Sequence, residues 1–216
     1  MKNITIDYLI LTKNADIGNL ITTLKKYKSP EDKIIILDDF SDISYLSQYK
    51  QYGKVIQHKL DYDYSAHRNY ALDYCKGNYI FAIDDDEVPA ENLLKNLKQL
   101  INNSNMCDLL MIPRKNIFKG CLPIHALQYG WNLKGEIVNW DSGDYQTRLF
   151  KNKVGLRWQG KLHERIVHSP ANKVAMFPKE EDYCLFHYKT ISEQLADNTY
   201  YQHKYTQNEN MGVIEK

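Results

Sequence analysis

Apolar residues fall along the chain in two rhythms. Short blocks at 4–11, 33–37, 55–58, 79–83 and 109–112 are dense in aliphatic and aromatic side chains, the pattern of strands buried on both faces. Between the first two blocks, Ile17, Leu20, Ile21 and Leu24 recur at the i, i+3, i+4, i+7 spacing of one helix face. Lys13-Asn14-Ala15-Asp16 precedes them and can turn the chain and cap that helix. Residues 66–75 predict a second helix, closed by Lys76-Gly77. Pro89 is expected to open a third, with Leu93, Leu94, Leu97, Leu100 and Ile101 as its apolar stripe. Strands alternating with helices at this spacing predict an α/β fold, a mostly parallel sheet covered by helices on both faces. Such sheets bind ligands beyond the carboxyl ends of their strands.

From about Pro113 the rhythm changes. Residues 145–150 and 155–159 predict strands without regular intervening helices, and 191–206 predict a polar, tyrosine-rich helix. No repeat or low-complexity linker interrupts the 216 residues, so one domain over 1–216 is expected, with halves at 1–112 and 113–216. The formal charge of +1 and the absence of a basic stripe argue against a nucleic-acid partner. Cys75, Cys107, Cys121 and Cys184 form no C-x-x-C pair, which argues against a zinc knuckle or redox motif and for a reducing compartment. The first residues do not read as a signal peptide, and no run approaches the ~18 apolar residues of a membrane helix. A cytoplasmic protein without a transmembrane segment is expected, compatible with peripheral membrane association.

Asp84-Asp85-Asp86-Glu87 follows a buried strand directly. Like charges crowded in a cleft raise one another's pKa or call for a cation. On an extended chain Asp84 and Asp86 point the same way and Asp85 the other. Two carboxylates, phosphate oxygens and water suit Mg²⁺ or Mn²⁺. The same run also reads as decoration of a helix start near Pro89, where acidic residues gain about 0.3–1 kcal/mol each.

The surrounding motifs weigh between these readings. Ile35-Ile36-Leu37-Asp38-Asp39-Phe40-Ser41-Asp42 is similar to the segment with which family 2 glycosyltransferases hold a nucleotide base. Ala66-His67-Arg68-Asn69-Tyr70-Ala71-Leu72, followed by Lys76-Gly77-Asn78-Tyr79-Ile80-Phe81-Ala82-Ile83-Asp84-Asp85-Asp86-Glu87, resembles their R-N-x-A-x … G-x-Y-I-x-x-x-D-x-D-E block. Gln146-Thr147-Arg148-Leu149-Phe150 and Gly160-Lys161-Leu162-His163-Glu164 resemble a later pair in one bacterial branch of that family. The matches keep their order over roughly 4–188.

The resemblance implies a GT-A-like fold with a nucleotide-sugar-binding front half and a smaller, mixed acceptor-side region. It implies an inverting sugar transfer from a nucleoside-diphosphate sugar, UDP favoured, to the hydroxyl of a glycan, glycolipid or other acceptor, with surface glycan or lipopolysaccharide synthesis as one setting. Thr12 and Asp39 would contact the base, Asp39 accepting from a ring N–H, and Arg68 would reach the diphosphate. Asp84 would sit near ribose and metal, and Asp86 would bind the Mn²⁺ or Mg²⁺ directly. The middle position of the acidic motif, often small in the family, is Asp85 here; it joins the donor-binding set and leaves open which carboxylate is the ligand.

Inverting displacement needs a stabilised leaving group, an aligned acceptor and one base. Glu164 is the candidate base: if 158–166 is extended, Leu162, Glu164 and Ile166 share a face while His163 and Arg165 oppose them. A turn would instead bring His163 and Glu164 to the site together. A structural ion pair of Glu164 with Arg148 or Arg165 is the alternative, and Asp141 and Asp144 are fallback bases. His187 is a candidate late metal or phosphate contact, although a histidine between aromatic residues is more often packed and hydrogen-bonded. Trp131, Trp140, Trp158 and Tyr129 suit either a sugar-stacking groove or the core. Lys189 suits a phosphate contact or a solvated face. Two rival functions remain: a sugar nucleotidyltransferase, which would want a glycine-rich cradle that 11–18 lacks, and a non-catalytic nucleotide-sugar or carbohydrate-binding protein.

Overall fold

Every residue of the first strand, β1 (Ile6–Thr12), is buried, because the sheet around it is covered on both sides. The computed structural model describes residues 4–153 and 155–200. β1 lies between β2 (Lys33–Asp38) and β4 (Tyr79–Asp84), and β3 (Lys54–Gln57) joins beyond β2; all four strands are parallel. Ile6, Tyr8 and Ile10 of β1 face one layer, with Leu20, Ile21 and Leu24 of helix α1 (Gly18–Tyr27) and Leu93, Leu94, Leu97 and Ile101 of α4 (Glu91–Asn103). Leu9 and Leu11 face the other layer, with Ala71 and Leu72 of α3 (Tyr64–Leu72) and with Trp158 and Ile166. Those last two belong to a separate hairpin, β10 (Arg157–Gln159) against β11 (Arg165–Val167).

The sheet continues past β4 into the second half of the chain. β9 (Asp144–Lys151) pairs antiparallel with β4, and β6 (Leu109–Lys119) pairs antiparallel with β9. β13 (Leu185–Thr190) runs parallel to β6 and pairs on its other edge with β5 (Glu87–Pro89). The short strands β7 (Leu133–Lys134), β8 (Ile137–Val138) and β12 (Val174–Met176) attach around β6. One sheet therefore spans both halves among the described residues, parallel in front and mixed behind.

Several expectations change in detail. A helix not anticipated from the apolar pattern, α2 (Ile43–Tyr52), buries only Tyr49; one anchoring residue leaves no periodic stripe to read. A short helix α5 (Pro123–Tyr129) likewise buries only Ala126. α3 stops at Leu72, before Cys75, so Lys76-Gly77 does not close it. Gly77 instead answers a packing demand, since a Cβ there would lie 2.8 Å from the backbone nitrogen of Asp7. Pro89 does not open a helix: it ends β5, and α4 starts at Glu91. Residues 191–200 are helical; 201–206 of that expected helix lie outside the described residues. All four cysteines are buried and free. Among the described residues no helix is long and apolar enough to cross a membrane.

Candidate active site

The carboxyl ends of β1, β2 and β4 carry Thr12, Asp38-Asp39 and Asp84. The loops behind β1 and β2 are laced together: Asn14 donates its backbone N–H to Ser41 Oγ at 2.8 Å, and Asp42 donates to Asn14 Oδ1 at 2.7 Å. Thr12 is buried, its hydroxyl 3.1 Å from the Tyr49 hydroxyl. Asp39 follows β2 and is also buried. Its Oδ1 accepts from Leu60 N at 2.8 Å and its Oδ2 from Lys13 Nζ at 2.8 Å. Asp38 is tied inward, to Ser41 N and to Gln57 Nε2.

The acidic run is a tight turn between β4 and β5, not extended chain. The expected alternation therefore fails, and the three aspartates find three environments. Asp84 accepts from Arg68 Nη2 at 2.8 Å on Oδ1 and from Arg148 Nη2 on Oδ2. Burial alone would raise its pKa, but Arg148 and Arg68 overcome this and hold the carboxyl well below the usual range. Asp85 turns toward Thr12 and the backbone of Lys13; burial first, then the charge of Asp86, pushes it up to about 6. Asp86 meets His187 Nε2 at 3.1 Å and Lys189 Nζ at 3.4 Å. Burial works against its ionised form, yet His187 and Lys189 keep its pKa low. Decoration of a helix start is not the role of this run, since Glu91 is the acid in the first turn of α4.

Arg68 is the hub. It projects from α3, is 4 % exposed, and donates through Nε to Glu164 Oε1 at 2.5 Å as well as to Asp84. The next residue, Asn69, docks the hairpin that carries Glu164: its Nδ2 donates to the Trp158 carbonyl at 2.9 Å, and Trp158 N donates to its Oδ1 at 3.0 Å. Trp158 also packs edge-on against Phe150 and lies beneath the Arg68 guanidinium, which places this tryptophan in the core. Residues 160–163 form a bend, with Gly160 and His163 at positive φ, so 158–166 is not one extended strand. Glu164 still turns inward while His163 and Arg165 are exposed. Its ionic partner is Arg68, not Arg148 or Arg165. Asp141 pairs with Lys134 at the surface, and Asp144 is held by Arg114, Asn116 and Gln146.

Arg148, which the sequence offers as an alternative partner for Glu164, has other partners. It is buried and binds Asp84 and Glu87, whose carboxylate is fully buried. Among the described residues Arg68 Nη1 and Arg148 Nε are buried without a hydrogen-bond partner, an arrangement that buried donors rarely keep unless a ligand completes it.

A divalent cation can be tested against the donor set at Asp86. Asn116 Nδ2 donates to Asp144 at 3.1 Å, so Asn116 Oδ1 faces His187 Nδ1 at 2.7 Å and accepts its proton. That fixes the His187 tautomer and aims Nε2 at Asp86. Across 3.1 Å, Nε2 and Asp86 Oδ2 meet through a proton or through a cation. Adjacent ligands on an octahedral ion with bonds of about 2.1 Å stand roughly 3 Å apart, so the pair fits Mg²⁺ or Mn²⁺. Among the described residues no three of His, Cys, Asp and Glu gather around one point, and both oxygens of Asp84 are engaged by arginines. Asp86 and His187 are thus the residues that could hold such an ion, which commonly takes phosphate oxygens and water as its other ligands.

His67, one residue before Arg68, is 3 % exposed and stands 3.1 Å from His58 through the two Nδ1 atoms. Burial, then the neighbouring His58, lowers its pKa to about 4, against a partial pull from Asp39. An unfolded histidine titrates near 6.5, so below that pH the unfolded chain takes the proton more readily. Stability contributed here is complete above about pH 6.5 and falls as pH drops toward 4. Urea unfolding at pH 7 and pH 4.5 should show His67→Gln losing about 2–3 kcal/mol less than wild type between the two; equal losses would contradict this.

The family model for glycosyl transferase family 2 matches residues 9–169, about three quarters of the chain. The chain belongs to glycosyl transferase family 2. As a glycosyltransferase it also has structural relatives. The crystal structure of S. aureus TarS 1–349 superposes with a TM-score of 0.57 at 16 % identity, over 87 % of this chain and 60 % of that one. The same S. aureus protein in complex with UDP-GlcNAc gives 0.56 at 16 %, over 87 % and 58 %. Its UDP complex gives 0.56 at 16 %, over 87 % and 61 %. The glycosyltransferase chain thus spans about three fifths of those structures and shares their GT-A-like fold. A comparison with curated protein sequences gives no match. Membership of the family argues for sugar transfer over the sugar nucleotidyltransferase reading.

Proposed function

We propose that this glycosyltransferase moves a sugar, with inversion, from a nucleoside-diphosphate sugar to an acceptor hydroxyl, and that it uses a divalent cation to do so. The observation that carries the reading is the Arg68 guanidinium, buried between Asp84 and Glu164 with Nη1 left over, where Asp84 opens the turn that carries the Asp86–His187 pair. UDP is the favoured nucleotide, supported by the motif resemblance and by the UDP and UDP-GlcNAc complexes of the S. aureus relative.

On this reading Thr12 and Asp39 receive the base at the ends of β1 and β2. Arg68 orients the diphosphate and offsets the charge that grows on it as the glycosidic bond breaks. Asp84 keeps both arginines in place, and Asp85 borders the donor between Thr12 and Asp86. Asp86 and His187 would hold Mn²⁺ or Mg²⁺, which when bound neutralises the leaving diphosphate. Glu164 takes the acceptor proton, and its bond to Arg68 Nε keeps the carboxylate aimed until the acceptor arrives. The acceptor is proposed as a glycan, glycolipid or other hydroxyl compound.

Calorimetric titration with UDP tests the donor site. Binding should require Mn²⁺, disappear with chelator, and weaken at least tenfold in Asp86→Ala. Equal affinity with and without metal would remove the cation from the proposal.

A further inference from the structure

Lys13 is the first residue after β1, and its ammonium rests 2.8 Å from Asp39 Oδ2. The lysine side chain is 58 % exposed and the aspartate side chain 11 %. The lysine end of the pair stays largely in solvent, where screening keeps its contribution to stability small. Asp39 is fixed from below by Leu60 N on Oδ1. Oδ2, the oxygen that meets Lys13, can accept a second hydrogen bond. The site thus presents an acceptor and a donor side by side.

We propose that Lys13 is a base-reading residue that sets nucleotide specificity together with Asp39. The inference rests on the donor-site reading above. The paired groups complement a base edge on which a ring N–H stands next to a carbonyl. The ring N–H donates to Asp39 Oδ2 while Lys13 Nζ donates to the carbonyl, and the ion pair need not break. Uracil, thymine and guanine offer that edge. Cytosine and adenine present a bare ring nitrogen beside an amino group, which sets lone pair against carboxylate and donor against ammonium. A site whose polar groups are left unpaired by the wrong ligand rejects it strongly.

The test is calorimetry of UDP and CDP, each with Mn²⁺, on wild type, Lys13→Met and Lys13→Arg, with circular dichroism confirming the fold. Wild type should bind UDP about tenfold or more tighter than CDP. Lys13→Met should weaken UDP about tenfold and leave CDP within twofold, collapsing the ratio; Lys13→Arg, still a donor, should restore most of it. UDP binding with an unchanged UDP/CDP ratio in Lys13→Met overturns the inference and leaves the donor site standing. No binding of either diphosphate to wild type overturns both.

Discussion

Glu164→Gln should lower sugar transfer by about 10²–10⁴-fold while UDP affinity stays within a few-fold of wild type. The substitution keeps an oxygen in place to accept from Arg68 Nε, so the geometry around Arg68 survives. What it removes is the capacity to take a proton. The bond between Glu164 and Arg68 also admits a purely architectural role, in which the hairpin β10–β11 is clamped to α3 by charge. The two roles separate in the same experiment. Loss of activity with unchanged UDP binding and unchanged melting temperature marks a base; a lowered melting temperature with activity retained per folded molecule marks a clamp and refutes the assignment. Donor hydrolysis, followed by release of UDP, provides the activity readout without an acceptor in hand.

Arg148→Met should cost about 3–5 kcal/mol of stability, because it strips the nearest cation from the fully buried Glu87 and one of two from the half-buried Asp84. Glu87 is fully buried and keeps the Asp84 N–H at 3.1 Å, but its remaining cation, Arg114 Nη1, is farther off at 3.4 Å. Asp84 keeps Arg68. Methionine matches much of the arginine stem, so the loss is mainly one of charge and not of packing. Urea denaturation measures it directly, and a loss below about 1 kcal/mol would mean that Glu87 and Asp84 are far better solvated than their burial indicates. A Glu87→Gln background should recover part of the cost, since it removes one of the stranded charges.

The front half was legible because its strands are buried on both faces and read as continuous apolar blocks, as at Ile34-Ile35-Ile36-Leu37 and Tyr79-Ile80-Phe81-Ala82-Ile83. The acidic segments beyond them fall where a parallel sheet offers its ligand cleft. The short strands behind were harder, since β5, β11 and β12 have only three residues each and no periodicity to display. Pro89 misled because a proline after an acidic run suits a helix start as well as an edge strand. The partners of Arg148 and the role of Asn116 were hidden for a different reason. Their partners come from pairing between distant segments: His187 lies opposite Asn116 only because β13 joins β6, and Arg148 meets Asp84 only because β9 follows β4 in the sheet. Asn69 had a signal, its place beside Arg68 in the motif, but its hydrogen bonds to Trp158 require the hairpin to be seen.

The central claim is that one cleft, between Arg68 and the Asp86–His187 pair, holds a nucleoside diphosphate and its cation together. Crystals grown with UDP and Mn²⁺, measured at a wavelength where manganese scatters anomalously, test it most directly. The account predicts an anomalous peak bonded to Asp86 and His187 and shared with the diphosphate, with Arg68 on the phosphates and the base at Asp39. UDP bound with no manganese at that pair, or with its phosphates away from Arg68, would contradict it.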